Sequence, residues 1–140
     1  MQAATDWAKT RNHLLAMTAL AMALGGGLSL VDPGIGSAVA VPLAWLVGQS
    51  TGAKFAGLFG RQTQRGEALR LAALAAGLHV GVFLIGLGLS MLGNIGNILP
   101  IRWGNLGIIL GLTAVIGFAV TLGGLKLGAM LALRQRARRG

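Results

Sequence analysis

The chain contains no cysteine. Disulfides, thiolate metal sites and iron–sulfur clusters are therefore excluded. Acid is nearly as scarce, with Asp and Glu together supplying 3 of 140 residues. Charged types of both signs make up 11%, against about 25% in an ordinary soluble domain. Hydrophobic types reach 54%, and the mean hydropathy is +0.73. Too little polar side chain is present to coat a water-exposed globule. That excludes a conventional soluble enzyme, and it excludes disorder, which needs the opposite balance. The length allows one domain, at about 100–200 residues per domain. A lipid bilayer is the expected solvent.

What charge there is has a strong sign. The formal net charge is +9 and the sequence pI about 12.0. In a soluble protein this would suggest nucleic acid. Here the cations bracket apolar runs instead of lining one face, so no nucleic-acid partner is expected. Lys9 and Arg11 could begin a signal peptide, with Ala38-Val39-Ala40 as its cleavage box. That box lies far beyond the first apolar run, whereas cleavage sites follow such a run closely. The first run is read as a retained span.

Four apolar runs follow, the last broken only by Lys126, with spans expected at about 14–31, 35–53, 71–92 and 106–127. Each approaches the roughly 20 residues that a bilayer requires of a helix. β-Barrel strands would alternate in polarity over about ten residues, and these runs do not. The expected fold is all-α: a single four-helix transmembrane domain made of two αα-hairpins, followed by a basic tail over 128–140. Residues 1–13 are polar, and Thr5-Asp6 could cap a short helix there. Asp32-Pro33-Gly34 reads as a tight turn. Pro42 is placed near the start of span two, where a missing N–H does least harm. Thr63 is a plausible N-cap for span three, with Glu67 in its first turn. Residues 93–105, rich in Asn and Gly and holding Pro100, read as a loop. The last two turns of the fourth run are expected to protrude, with Lys126 snorkelling to the headgroups.

Orientation follows from the cations. Lys9 and Arg11 precede span one, and Lys54, Arg61, Arg65 and Arg70 join spans two and three. Lys126, Arg134, Arg136, Arg138 and Arg139 end the chain, leaving Arg102 alone on the other side. The split is eleven against one, and the positive-inside bias puts both termini in the cytoplasm. The five terminal cations are expected to hold anionic lipid or an acidic partner surface.

Glycine is the largest anomaly, at 24 residues. In lipid, helices associate where small residues let backbones approach. Gly-x-x-x-Gly pairs occur at Gly48/Gly52, Gly77/Gly81, Gly107/Gly111 and Gly124/Gly128, and Gly48, Gly52, Ala56 and Gly60 form the longest small-residue stripe. About four such pairs are expected by chance at this glycine content, so the bulk content carries the meaning. It points to a tightly packed bundle with flat faces for partner helices. Gly27-Leu28-Ser29-Leu30 resembles Gly88-Leu89-Ser90-Met91, and Gly52-Ala53-Lys54 resembles Gly124-Leu125-Lys126. Two hairpins related by an axis along the membrane normal would give such matches. Biased composition gives them as cheaply, so a repeat is not assumed.

His79 is the ionisable residue placed deep in a span, about 12 Å past Leu71. Intramembrane ionisable groups are functional candidates. A proton relay or an axial ligand to a haem or chlorin is the functional reading, which makes His79 a candidate cofactor-binding residue. A neutral imidazole bonded inside the bundle is the more common role. His13, at the cytoplasmic edge, is a poor second haem ligand. Gln49, Ser50 and Thr51 could line a pore, but hydrogen bonding between helices suits them better. Trp45, near mid-span, suits packing or a lipid-facing role, and Trp103 beside Arg102 suits an interfacial anchor. No span contains Asp or Glu, and no nucleophile set, metal-ligand cluster or phosphate loop is present. No catalytic residue, metal or bound cofactor is therefore expected.

Gly48-Gln49, Gly60-Arg61, Glu67 and Arg70-Leu71-Ala72 follow a recognisable order. In it the chain resembles an uncharacterised bacterial family of small four-span inner-membrane proteins, whose cytoplasmic loop reads Gly-Arg-x-Pro-Thr-x-x-Glu. Thr63 stands where that family has Pro, and Gln64 where it has Thr. The resemblance implies a bacterial inner membrane and supplies no activity. With no catalytic group and no soluble domain, the expected function is a non-catalytic accessory or assembly subunit. It would pack against other integral membrane subunits or copies of itself. The alternative is a self-assembling pore, channel or holin-like protein.

Overall fold

The computed structural model describes residues 2–93 and 103–139. They form four helices: α1 (Gln2–Val31), α2 (Pro33–Phe59), α3 (Arg65–Gly93) and α4 (Trp103–Ala137). No strand occurs among the described residues. Three helices, α1, α3 and α4, are long and apolar enough to cross a membrane, as a multi-pass membrane protein requires. α2 is not among them. Its second half carries Gln49, Ser50 and Thr51, and Pro42 and Trp45 dilute its first half.

Several boundaries differ from the expectation. α1 is continuous from Gln2, so Thr5 and Asp6 lie inside it instead of capping a separate segment. No Pro or Gly occurs between residues 2 and 24 to interrupt it. Asp32 alone separates α1 from α2: its Oδ1 accepts from Gly34 N at 2.7 Å and Ile35 N at 3.3 Å. Pro33 then occupies the first helical position, where its fixed φ suits the helix and its missing N–H costs nothing. Pro42 stands well inside α2, so the carbonyl one turn before it lacks its usual N–H donor.

α2 ends at Gly60, whose φ of 66° is left-handed and whose N–H reaches Ala56 O at 3.0 Å. Thr63 does not cap α3; its Oγ1 is buried without a partner among the described residues. Glu67 supplies the cap instead, accepting from Gln64 N at 2.8 Å. This is the Glu half of a capping box. The segment set apart as a basic tail is, as far as Ala137, the end of α4 itself. Gly128 and Ala129 within it are buried, so the first of these turns packs on the bundle, whereas Arg134 to Arg139 are exposed.

The helices form a ring in the order α1, α2, α4, α3. The α2–α4 face is the most extensive and the α1–α3 face the smallest, while the diagonal pairs scarcely meet. The start of α1, the ends of α2 and α4 and the α2–α3 connection share one basic end of this ring, where His13 meets Ser50 and Arg136 meets Gly57. The core lies toward that end. Leu14, Val47, Phe55, Leu71, Ala72, Ala75, Leu125 and Ala129 are all buried. Trp7, Met17, Leu43, Phe118 and Leu122 close around it.

Candidate functional site

Three features organise the bundle, and the closest is the α2–α4 crossing. A Cβ built on Gly48 would strike the Thr121 carbonyl, and one on Gly52 the Leu125 carbonyl. One on Gly124 would lie 2.6 Å from the Trp45 carbonyl oxygen. One on Gly128 would strike the Gln49 carbonyl. The atoms met are backbone, so no side chain can swing aside. Each step of one turn along α2 advances one turn along α4, so the two helices run parallel. Ala56 continues the α2 stripe and is buried, whereas Gly60 terminates the helix.

The crossing is symmetric. Gly48 meets Thr121 as Gly124 meets Trp45, and Gly52 meets Leu125 as Gly128 meets Gln49. In every case 76 residues separate the equivalent positions. Gly48-x-x-x-Gly52-Ala53 therefore corresponds to Gly124-x-x-x-Gly128-Ala129. The similar strings Gly52-Ala53-Lys54 and Gly124-Leu125-Lys126 stand one helical turn away from this contact symmetry. The reason is that equivalence is set by which backbones touch, not by which short strings agree.

The other two glycine pairs lie elsewhere. A Cβ at Gly77, Gly81, Gly107 or Gly111 would meet nothing within 4 Å. Among the described residues, no neighbouring helix lies against the Cβ side of these four.

At the basic end, polar groups tie the helices together. His13 Nε2 and Ser50 Oγ are 2.8 Å apart, joining α1 to α2. Arg61 grips Glu67 through two hydrogen bonds of 2.9 and 2.7 Å and donates to Gln62 O at 3.1 Å. Its guanidinium lies over the Phe55 and Phe59 rings, 5.2 and 5.5 Å from their centroids. Those rings stack on one another at 4.3 Å. The Arg61 hydrogen bond holds the Glu67 carboxyl below the ordinary carboxylate range, with the Gln64 N–H adding to it against the opposing effect of burial. The same pairing raises the Arg61 pKa.

Arg136 Nη2 donates to Gly57 O at 3.0 Å, joining the last turns of α4 and α2. Lys126, Arg134, Arg138 and Arg139 are exposed. Sequence reasoning missed both links because neither partner is near in chain order. The Arg61–Glu67 pair was legible only as two members of one loop motif.

Toward the opposite end the packing opens. A cavity of about 610 Å³ is lined by all four helices, among them Gly25, Ser29, Ala44, His79, Phe83 and Gly117. His79 Nδ1 lies 2.9 Å from Ala75 O. The Trp45 ring, at the level of the buried layer, covers Gly123. His13 is tied to Ser50 near the basic end, so the two imidazoles do not converge. No group of three or more metal-ligating side chains occurs among the described residues. The Trp103 side chain and Arg102 lie outside what is described. Compared with known proteins, the chain matches no family model, no curated protein and no solved structure.

Proposed function

We propose that the protein is a non-catalytic accessory or assembly subunit of a larger complex in a bacterial inner membrane. In this reading α2, with a less apolar span than α1, α3 and α4, also crosses the bilayer beside α4, and both termini are cytoplasmic. The observation that carries the reading is the division of the glycine pairs. Two of them, Gly48/Gly52 and Gly124/Gly128, bring α2 and α4 into backbone contact. Helices in lipid use small residues for such approach. The other two, Gly77/Gly81 and Gly107/Gly111, have the same spacing and open space in front of them. They are the faces on which helices of another subunit would seat.

Orientation rests on the sequence distribution of cations, eleven in the segments assigned to the cytoplasm against Arg102 in the connection between the third and fourth spans. Lys126, Arg134, Arg138 and Arg139 would meet anionic headgroups at the basic end, with Arg136 shared between lipid and the Gly57 carbonyl. Among the described residues, buried leucines interrupt any polar path through the interior of one chain. Leu14, Leu71 and Leu125 are completely buried between the cavity and the basic end. A pore would need a lining shared among several chains.

Extraction in mild detergent followed by native mass analysis tests the proposal. Co-migration with a hetero-complex, lost on Gly77→Leu and Gly107→Leu, supports it. A pure homo-oligomer that leaks ions from liposomes replaces it with the pore. A reporter fused at the C-terminus and active only in the periplasm refutes the orientation.

A further inference from the structure

The cavity in the open half of the bundle exists because small residues stand where a packed bundle would place large ones. Gly25, Gly26 and Gly117 line it, together with Ala40, Ala44 and Ala114. A Cβ at Gly26 or Gly117 would meet nothing within 4 Å. At about 610 Å³, the space falls within the roughly 300–1,000 Å³ typical of small-molecule sites.

The wall chemistry narrows the occupant. No Lys, Arg, Asp or Glu lines the cavity among the described residues, so an ionic ligand would have no counter-charge in a medium that penalises bare charge. The occupant is neutral and mostly apolar. The Ser29 hydroxyl donates to Gly25 O at 2.9 Å, within its own helix. His79 is different. A carbonyl oxygen can only accept, so the bond to Ala75 O puts the ring proton on Nδ1. Nε2 of the neutral ring is then an acceptor, and it has no partner among the described residues. An acceptor in an apolar chamber favours a ligand with a donor to offer it.

We infer that this cavity is a binding site for a neutral, membrane-soluble molecule bearing a hydroxyl, which donates its proton to His79 Nε2. The class comprises lipophilic alcohols and phenols. The site is independent of the accessory-subunit reading: it lies within one chain and requires no partner.

Retinol and its methyl ether form the test pair, because they share an apolar body and differ in the donor. The full chain is placed in phosphatidylcholine nanodiscs, and retinol fluorescence is titrated against empty nanodiscs. Retinol is expected to bind saturably at one site per chain, about fivefold to tenfold tighter than the ether. His79→Ala should weaken retinol to the level of the ether and leave the ether unchanged. Gly26→Leu and Gly117→Leu, which enlarge two lining positions, should remove saturable binding of both. Helix content by circular dichroism confirms that each variant is folded. Equal affinities for the two probes, the same retinol affinity after His79→Ala, or binding that survives both leucine variants would overturn the inference. So would a lack of saturable binding, which would mean that the chamber holds lipid chains only. Titration with hemin is the remaining arm. A Soret shift on binding, abolished in His79→Ala, would replace the hydroxyl ligand by axial ligation.

Discussion

Gly124→Ala adds one methyl group at the α2–α4 crossing, and its effect can be worked from the geometry. The new Cβ would stand 2.6 Å from Trp45 O, 2.9 Å from Gln49 N and 3.1 Å from Gly48 Cα. Ordinary contacts between carbon atoms lie at about 3.5–4.0 Å. All three obstacles are main-chain atoms, so relief requires α4 to retreat from α2 by on the order of 1 Å. Overpacking of this kind costs about 1–3 kcal/mol. The substitution also removes a glycine from a helix interior, which stabilises by about 0.5–1 kcal/mol. The net expectation is a loss of roughly 0–2.5 kcal/mol. Gly77→Ala is the matched control, because its Cβ meets nothing within 4 Å. It should gain about 0.5–1 kcal/mol from the helix alone. Unfolding in mixed dodecylmaltoside and dodecylsulfate micelles, followed by tryptophan fluorescence, measures both variants. If Gly124→Ala proves as stable as Gly77→Ala, the close approach of α2 and α4 is refuted.

Other contacts carry their own tests. A double-mutant cycle of His13→Ala and Ser50→Ala should show a coupling of about 0.6 kcal/mol, the average for hydrogen bonds between membrane helices; zero coupling would show that the pair contributes nothing. Glu67→Gln should destabilise at neutral pH by loosening the Arg61 clamp and the cap on Gln64. Because the folded-state pKa of Glu67 is depressed, its contribution is full above the ordinary carboxylate pKa of about 4.3 and fades as pH falls through the lower folded value. The difference between wild type and Glu67→Gln should therefore persist down to mildly acidic pH and close only below that range, and a difference that vanished near neutrality would contradict the pairing. Replacing Arg134, Arg136, Arg138 and Arg139 by Gln should weaken binding to anionic vesicles by about 1 kcal/mol per cation at low salt, with the effect shrinking as salt is raised. Vesicle binding that stays unchanged would leave these residues as a topology signal alone. Arg136→Gln by itself should also lower thermal stability, because it releases the Gly57 carbonyl.

Composition and hydrophobic run length alone determined that the chain is helical and suited to lipid. A continuous apolar run of helical length admits few other solutions when backbone polar groups must be satisfied within the segment. The turn at Asp32-Pro33 and the stop at Gly60 were likewise local matters. A side-chain acceptor, a fixed φ and a tolerated positive φ act within a few residues of chain. The cation distribution was legible for the same reason, since it needs only counting.

Tertiary structure decided what depends on which surfaces meet. Four Gly-x-x-x-Gly pairs look alike in sequence, yet only those on facing sides of α2 and α4 are buried, because spacing says that a face is flat and not what lies opposite. The residue-to-residue equivalence of α2 and α4 emerged from backbone contacts, one turn away from the best string match. Continuity across residue 13 and through Ala137 was hidden by the change between polar and apolar sequence, although neither 2–24 nor 129–137 holds a Pro or Gly to stop a helix. The His13–Ser50 and Arg136–Gly57 bonds join groups far apart in the chain, so no local pattern announces them. His79 was visible as an ionisable group in an apolar run. That it lines a cavity, with Nδ1 bonded to Ala75 O, depends on four helices packing tightly at the basic end and parting beyond it.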